Sequence, residues 1–101
     1  MIGSENPCFT ISRDHPALEG HFPGHPIVPA VVILDEVLAA AIKFTPAPIA
    51  GVIQAKFSAF LIPEDICVVS FQSSRQGLRF QCHVDERIIA SGLLALADGA
   101  A

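Results

Sequence analysis

Residues 29–44 read PAVVILDEVLAAAIKF, and this stretch decides how the rest of the chain must fold. Alanine and leucine give it high helix propensity, and its opening proline suits the first helical position. We therefore predict one helix from Ala30 to about Phe44, ended by Pro46 and Pro48. Its side chains are apolar nearly all round, so we expect the helix to be buried on most sides.

The chain after the helix is typical of β-strands. Apolar residues alternate with polar ones or form short β-branched runs, and turn residues such as Pro63-Glu64-Asp65 separate the runs. The predicted strands, with one before the helix, are Cys8–Ser12, Gly51–Phe60, Ile66–Ser73, Leu78–His83 and Ile88–Ala97. The strands after the helix follow one another in meander order, which indicates an antiparallel sheet wrapped around the helix. We predict a single α+β domain over residues 1–101.

The composition predicts that the chain does not work alone. Charged residues make up only 16% of the 101 residues, against about 25% in an average soluble chain, and hydrophobic residues make up 51%. This composition excludes a disordered chain and a solvated linker. A domain this small leaves much of its surface exposed when it is alone. So much apolar sequence with so little charge indicates that a second subunit covers part of the surface. We predict an obligate oligomer, most simply a dimer.

Three classes of protein are disfavoured by the sequence. A net charge of −4 and an isoelectric point near 5.4 argue against nucleic-acid binding, which needs a concentrated basic face. The first ten residues lack the basic and apolar regions of a secretory signal, so we expect no secretion. The longest apolar stretches, Ile27–Leu34 and Val37–Ile42, are too short to span a bilayer. Cys8, Cys67 and Cys82 have no CxxC spacing and indicate reduced thiols packed in apolar surroundings. We expect a cytoplasmic protein without membrane insertion.

The segment that carries chemistry is residues 19–36, EGHFPGHPIVPAVVILDE. His21 lies in a loop stiffened by prolines and glycines, and a long loop with apolar anchors in a compact domain is usually functional. Asp35 lies within the apolar helix, so we expect a buried aspartate that must be paired to offset the cost of burial. The helix N-terminus at Ala30 offers unpaired N–H groups and the positive end of a dipole. A base, an acid and a polarising N–H beside one apolar cavity suit proton abstraction next to a carbonyl.

The other histidines have a less specific interpretation. We expect His15, His25 and His83 to be ordinary hydrogen-bonding residues, since that is the commoner role of a loop histidine. No cysteine lies near the histidines of the loop, so we expect no metal and no cofactor. Residues 19–36 include no Ser, Cys or Thr, so the segment offers no nucleophile of these types.

Residues 21–29, HFPGHPIVP, resemble the HFPGxPIxPG signature of the beta-hydroxyacyl-(acyl carrier protein) dehydratases of fatty acid synthesis. This resemblance implies the hot-dog fold, a curved antiparallel sheet around one long apolar helix, over nearly the whole chain. In that family a carboxylate follows the histidine by fourteen positions, which corresponds to Asp35 here. One branch has Glu at that position, and the branch that also isomerises the double bond has Asp. In size the chain is similar to the small dehydratase-like proteins of aryl polyene and polyketide-type clusters.

The resemblance also implies a reaction and a role for each residue. His21 would be the general base that removes the C2 proton of a 3-hydroxyacyl thioester, and Asp35 of the other subunit would be the general acid on the leaving 3-hydroxyl. The backbone N–H of Ala30 would polarise the thioester carbonyl. The acyl chain, on an acyl carrier protein or coenzyme A, would lie between the central helices of a homodimer or higher oligomer. The implied substrate-binding residues are Phe22, Gly24, Ala30 and Val31.

Two positions depart from the family pattern. Ala30 stands where the motif ends in glycine, and Ala39 stands where the family often has a glutamine four residues after the carboxylate. Two alternatives therefore stay open: an acyl thioesterase in which Asp35 or Glu36 activates water, and a non-catalytic acyl-binding subunit. An acidic carrier partner predicts a basic rim, for which the candidates are Lys43, Lys56, Arg75, Arg79 and Arg87.

Overall fold

One α-helix and five β-strands make up the part of the chain that a computed structural model describes, residues 6–18 and 26–97. In chain order, the elements are β1 (Cys8–Phe9), a 3₁₀ turn (Pro16–Leu18), α1 (Ala30–Phe44), β2 (Ile49–Phe57), β3 (Cys67–Ser74), β4 (Gly77–Val84) and β5 (Arg87–Leu96). The predicted helix is confirmed at both ends. The first strand is shorter than predicted, because the chain leaves the sheet after Phe9 and Ile11 is buried in the core.

Backbone geometry explains both ends of α1. Pro29 precedes the helix in an extended conformation (φ −62°, ψ 148°) and gives it no side-chain cap. At the other end, the Thr45 N–H donates to the Ala41 carbonyl over 3.1 Å, and Thr45 is itself extended (φ −127°, ψ 140°). The ring of Pro46 disfavours the helical conformation at the residue before it, so the helix ends there. No helix in the described ranges is long and apolar enough to cross a membrane.

The five strands form one antiparallel sheet in the order β1-β3-β4-β5-β2. The meander prediction is confirmed for β3, β4 and β5 and is wrong for β2, which pairs with β5 rather than β3. Residues 58–66, here called the bridging loop, join β2 to β3 and are too long for a tight hairpin. The Ser58 N–H donates to the Ile89 carbonyl over 2.8 Å, which keeps the start of this loop beside β5. β2 therefore lies at an edge of the sheet, and none of the described residues pairs with its outer side.

The side of the sheet that faces α1 carries the hydrophobic core. Directly opposed residues on neighbouring strands share a face, and two such rows point towards the helix: Val69, Cys82 and Ala90, and Phe71, Phe80 and Gly92. The buried side chains of the helix are Val32, Ile33, Val37 and Ala41. At the end of α1, the centroid of the Phe44 ring lies 5.1 Å from that of Phe71. The predicted α+β architecture, one long helix against an antiparallel sheet, is confirmed.

Register shifts curve this sheet. They occur at two places in β2, between Ile49 and Gly51 and between Val52 and Gln54, and once in β5, between Ile88 and Ala90. A bulge bends the strand that carries it and strengthens the local twist. The sheet therefore curves around α1 instead of lying flat beneath it.

The outer side of the sheet, which faces away from α1, is mainly polar. Its two central rows of opposed residues are Gln72, Arg79, Leu93 and Gln54, and Ser70, Gln81, Ser91 and Lys56. The residues of these rows, apart from Leu93, line a depression of about 330 Å³. Lys56 and Arg79 are the charged side chains in these two rows. An antiparallel sheet with one apolar and one polar face is the usual arrangement when only one face is covered.

Gly92 and Gly51 form a matched pair for testing the core. A Cβ at Gly92 would run into the Gln54 carbonyl oxygen and lie 2.6 Å from the Phe80 ring, whereas a Cβ at Gly51 meets nothing within 4 Å. We expect Gly92→Ala to lower the free energy of unfolding by about 1–3 kcal/mol, the usual cost of overpacking, and Gly51→Ala to keep or slightly raise it. Urea unfolding followed by circular dichroism measures both. Equal stability of the two variants would contradict the packing of Phe80 over Gly92.

Candidate active site

The N-terminus of α1 presents backbone donors without partners. The Pro29 carbonyl accepts the N–H groups of Val32 (3.0 Å) and Ile33 (3.3 Å). Within the described residues, nothing accepts from the N–H groups of Ala30 and Val31, and Pro29 supplies no side-chain cap. Free N–H groups at the positive end of a helix dipole favour an oxygen that carries negative charge. This geometry is compatible with the polarising role predicted for the Ala30 N–H, which stays a prediction.

Asp35 lies on the side of α1 that the sheet does not cover. Val31, Asp35 and Ala39 follow one another at intervals of four residues, so they share one face of the helix, and all three are exposed. Ile42 continues this face, and the exposed fractions of Val31 and Ile42 are 63% and 67%. We define the exposed helix face as these four residues together with the half-buried Leu34 and Leu38.

Two expectations are therefore wrong for the single chain. Asp35 is exposed rather than buried, and no polar or charged side chain is buried in the described part of the protein. The helix is also not buried on most sides. The physical reason is the same in both cases: one sheet covers one side of a helix, and the side chains that it covers are Val32, Ile33, Val37 and Ala41.

Most of the motif lies outside the described residues. The predicted residues that fall there, within 19–25, are His21, Phe22, Gly24 and His25. Their predicted roles stay predictions. The structure describes the end of the motif, from Pro26 onwards. There, Val28 is 3% exposed and donates its N–H to the Leu61 carbonyl over 2.9 Å. The end of the motif is thus fixed in the core immediately before α1 begins.

Glu36 lies on a different side of α1 from Asp35. It lines a small cavity of about 150 Å³ on the β1 side of the helix, together with Cys8, Phe9 and Lys43. Glu36 therefore shares its surroundings with a basic side chain. Of the two carboxylates that could activate water in a thioesterase, only Asp35 belongs to the exposed helix face.

The histidines that the structure describes are ordinary hydrogen-bonding residues, as predicted. The Ala17 N–H donates to His15 Nδ1 over 3.0 Å within the 3₁₀ turn. His83 Nδ1 lies 2.9 Å from the carbonyl oxygen of Asp85, at the turn between β4 and β5. Within residues 6–18 and 26–97, no three His, Cys, Asp or Glu side chains are grouped so that they could hold a metal ion.

Cys67 and Cys82 are fully buried on neighbouring strands, which confirms their predicted packing role, whereas Cys8 is exposed and its packing prediction is wrong. The Cys82 thiol donates a hydrogen bond to Cys67 Sγ, and this lowers the pKa of Cys67. The same hydrogen bond, together with burial, raises the pKa of Cys82. Both thiols lie in the core and neither belongs to the exposed helix face.

The basic candidates for a carrier-binding rim are spread over several surfaces. They lie on the outer side of the sheet (Lys56, Arg79), in the turn between β3 and β4 (Arg75), and on the β1 side of α1 (Lys43). Arg87 is engaged within the chain: its Nη1 donates to the Phe60 carbonyl over 2.9 Å, and its Nη2 lies 3.5 Å from Asp65 Oδ2. In the single chain these side chains do not form one continuous basic rim.

Known proteins are similar to this chain in sequence and in fold. The family model of the ApeI-like proteins, described as ApeI dehydratase, matches residues 6–93. The 3-hydroxyacyl-[acyl-carrier-protein] dehydratase FabZ of Klebsiella pneumoniae subsp. pneumoniae is 32% identical to this chain, and that of Erwinia tasmaniensis is 33% identical. Each match covers 86% of this chain and 68% of the relative. Among solved structures, the dehydratase heterocomplex ApeI:P of Xenorhabdus doucetiae matches with a TM-score of 0.74 and 20% identity, over 89% of this chain and 83% of that one.

These similarities confirm three predictions. The structural match confirms the hot-dog fold. The family model and the FabZ relatives confirm the predicted family and its enzyme class, a lyase that dehydrates hydroxyacyl thioesters. The matched residues include the motif, all of α1 and nearly all of the sheet. The chain belongs to the ApeI-like dehydratase family.

Proposed function

We propose that the protein removes water from 3-hydroxyacyl thioesters on an acyl carrier protein and yields trans-2-enoyl thioesters for fatty acid or polyketide-like synthesis. The observation that carries this proposal is the position of Asp35, the one charged side chain on the otherwise apolar exposed helix face. A carboxylate among apolar side chains supplies proton transfer next to a surface that suits an acyl chain. The FabZ relatives, named for this reaction, support the same chemistry.

The proposed reaction uses three groups. His21 takes the proton from C2 of the substrate, and the Ala30 N–H stabilises the negative charge that develops on the thioester carbonyl oxygen. The partner subunit's Asp35 protonates the 3-hydroxyl as the C3–O bond breaks, so that water leaves and a C2–C3 double bond forms. The residues proposed to contact the substrate are Phe22, Gly24, Ala30 and Val31.

A homodimer completes this site. In the single chain, Val31 and Ile42 of the exposed helix face are uncovered. The edge strand β2 also carries three exposed apolar side chains, Val52, Ile53 and Phe57. A second copy that covers the helix face and the strand edge removes apolar surface and unpaired backbone from water together.

Each subunit of this homodimer is a single hot-dog domain over residues 1–101, and the enzyme acts in the cytoplasm. The three cysteines support this location, because Cys8, Cys67 and Cys82 are all free thiols. Free thiols persist in a reducing compartment, whereas oxidising compartments favour disulfides.

The first test is turnover by the purified protein. We expect mass spectrometry to detect conversion of a 3-hydroxyacyl thioester into a product lighter by one water. His21→Ala and Asp35→Asn should each lower the rate by about 10²–10⁴-fold, the usual contribution of a general acid or base. Asp35 is exposed in the single chain, so Asp35→Asn should leave the fold of each subunit intact, as circular dichroism can check. Cleavage to a free acid would identify a thioesterase. A folded dimer without turnover on several chain lengths and carriers would identify an acyl-binding subunit.

Ala30→Pro tests the polarising N–H without removing a functional side chain. Proline is well tolerated at the first position of a helix, and Pro29 already has the extended conformation required before proline. We expect Ala30→Pro to fold and to lose about 10²–10³-fold in kcat, the cost of removing one donor to a developing oxyanion. Ala30→Gly keeps the N–H and serves as the control, with kcat close to the wild type. Equal rates for the two variants would exclude this N–H from the mechanism.

The homodimer has its own test by size-exclusion chromatography with light scattering. Ile42→Lys on the exposed helix face and Ile53→Lys on β2 each place an unpaired charge in the proposed interface, where burial is costly. We expect both variants to have the mass of one chain, 10.7 kDa, and the wild type to have twice that mass. Ile66→Lys is the control, because it changes an isoleucine that is 62% exposed beside β3, away from β2. A dimeric Ile42→Lys variant would place the interface elsewhere.

A further inference from the structure

The bridging loop lies at the surface, but several of its residues anchor it to the rest of the fold. It leaves β2 beside β5, where the N–H groups of Ser58 and Ala59 donate to the Ile89 carbonyl over 2.8 and 3.4 Å. It then reaches β3, which is separated from β2 in the sheet by β4 and β5. Leu61 and Pro63 are buried along the way. The bridging loop therefore occupies a fixed position relative to the strands on both sides of it.

Glu64 of the bridging loop holds the chain that leads into the motif. Its N–H donates to the Ile11 carbonyl over 2.9 Å, and its Oε2 accepts the Arg13 N–H over 2.9 Å. Glu64 has a φ of 78°, in the left-handed region that glycine adopts freely and that a residue with a Cβ adopts at a cost. A glutamate in this conformation carries a backbone cost that glycine would avoid. The contact that the structure gives this carboxylate is the Arg13 N–H.

Leu61 of the same loop holds the chain that leads out of the motif. Its carbonyl accepts the Val28 N–H over 2.9 Å. Val28 is buried and lies two residues before Ala30, whose N–H is the proposed donor to the substrate carbonyl. The residues between Arg13 and Val28 include His21. One loop thus fixes both the entry and the exit of the segment that carries the proposed base.

Arg87 at the start of β5 holds the bridging loop in turn. Its Nη1 donates to the Phe60 carbonyl over 2.9 Å, and its Nη2 lies 3.5 Å from Asp65 Oδ2. These two contacts lie on either side of Leu61 in the chain. The guanidinium group therefore restrains the part of the bridging loop that supplies the acceptor for the Val28 N–H.

We propose that the bridging loop is a clamp that sets the separation of Arg13 and Val28, and that Glu64 and Arg87 are positioning residues for the dehydration. This proposal rests on the proposed function. Neither side chain contacts the substrate in it. Glu64 holds Arg13, which precedes the motif in the chain. Arg87 restrains the bridging loop beside Leu61, whose carbonyl holds Val28 near the end of the motif. Because a misplacement of about 1 Å can cost about 10²-fold in rate, hydrogen bonds remote from the reacting atoms can limit kcat.

Glu64→Gly and Glu64→Gln form a matched pair for the entry. Glycine accepts the left-handed backbone without strain but loses the acceptor, whereas glutamine keeps an oxygen for the Arg13 N–H. We expect Glu64→Gly to lower kcat about 10-fold with KM nearly unchanged, and Glu64→Gln to restore most of the lost kcat. A merely structural role would not separate kcat from KM in this way. Wild-type kcat in Glu64→Gly, or equal losses in the two variants, would overturn the proposal.

Arg87→Ala and Asp65→Asn form the matched pair for the exit. Asp65→Asn removes only the partly exposed ion pair, which contributes little, and leaves the hydrogen bond from Arg87 to the Phe60 carbonyl. We expect Arg87→Ala to lower kcat about 10-fold and Asp65→Asn to stay within about twofold of the wild type. Equal kcat in Arg87→Ala and the wild type would overturn the role of Arg87.

Amide hydrogen exchange separates the failure of the clamp from the failure of the proposed function, because it needs no substrate. We expect faster exchange at the Arg13 N–H in Glu64→Gly, because this variant removes the acceptor of that N–H. We also expect faster exchange at the Val28 N–H in Arg87→Ala, because this variant removes a restraint on the loop that carries its acceptor, the Leu61 carbonyl. Exchange as slow as in the wild type at both positions would overturn the clamp, whatever the activity. Absence of turnover by the wild type would overturn the proposed function and the catalytic part of this proposal, even if exchange responds as expected.

Discussion

The packing of α1 against the sheet is the constraint on which the rest of the structure depends. The helix is apolar nearly all round, but one curved sheet covers only one of its sides. Burying a large apolar side chain stabilises a protein by about 1.5–3 kcal/mol. Val31 and Ile42 lack most of this stabilisation in the single chain, because both are largely exposed. The location of the site follows from the same constraint, because Asp35 belongs to the side that stays uncovered. In the proposed homodimer, chemistry and association would use this one surface.

The sequence predicts those parts of the fold that depend on neighbouring residues. The ends of α1 are of this kind, since Pro29 and Pro46 act on the residues beside them. The pairing of β2 with β5 does not depend on neighbouring residues, because it joins Phe57 to Ala90 across more than thirty residues of sequence. Alternation within a strand indicates which residues share a face, but it does not identify the neighbouring strand. The meander prediction therefore failed at β2 and held for the three strands joined by short turns.

The candidate site divides in a similar way. Asp35 stands out in the sequence as a charged residue within an apolar helix, and the family resemblance implies its role. Its exposure, however, depends on which side of α1 meets the sheet, and the sequence of the helix does not distinguish the two apolar sides. Glu64 and Arg87 were missed in their positioning roles. In the sequence, Glu64 is one residue of a turn and Arg87 is one of five scattered cations. Their side-chain hydrogen bonds go to backbone groups, the Arg13 N–H and the Phe60 carbonyl, and no pattern of side chains predicts such bonds. The one local signal was the Pro63-Glu64-Asp65 turn.

The outer side of the sheet limits how copies of this chain can be arranged. Lys56 and Arg79 lie in its central rows, and those rows hold no acidic residue. Two copies placed back to back on this side would bring cations together and would desolvate glutamine and serine side chains without a carboxylate to neutralise the charge. The exposed helix face has one charge, Asp35, and is otherwise apolar, and β2 adds the exposed apolar side chains of Val52, Ile53 and Phe57. Two sheets of this protein can therefore join side by side at β2, whereas their outer sides resist packing face to face.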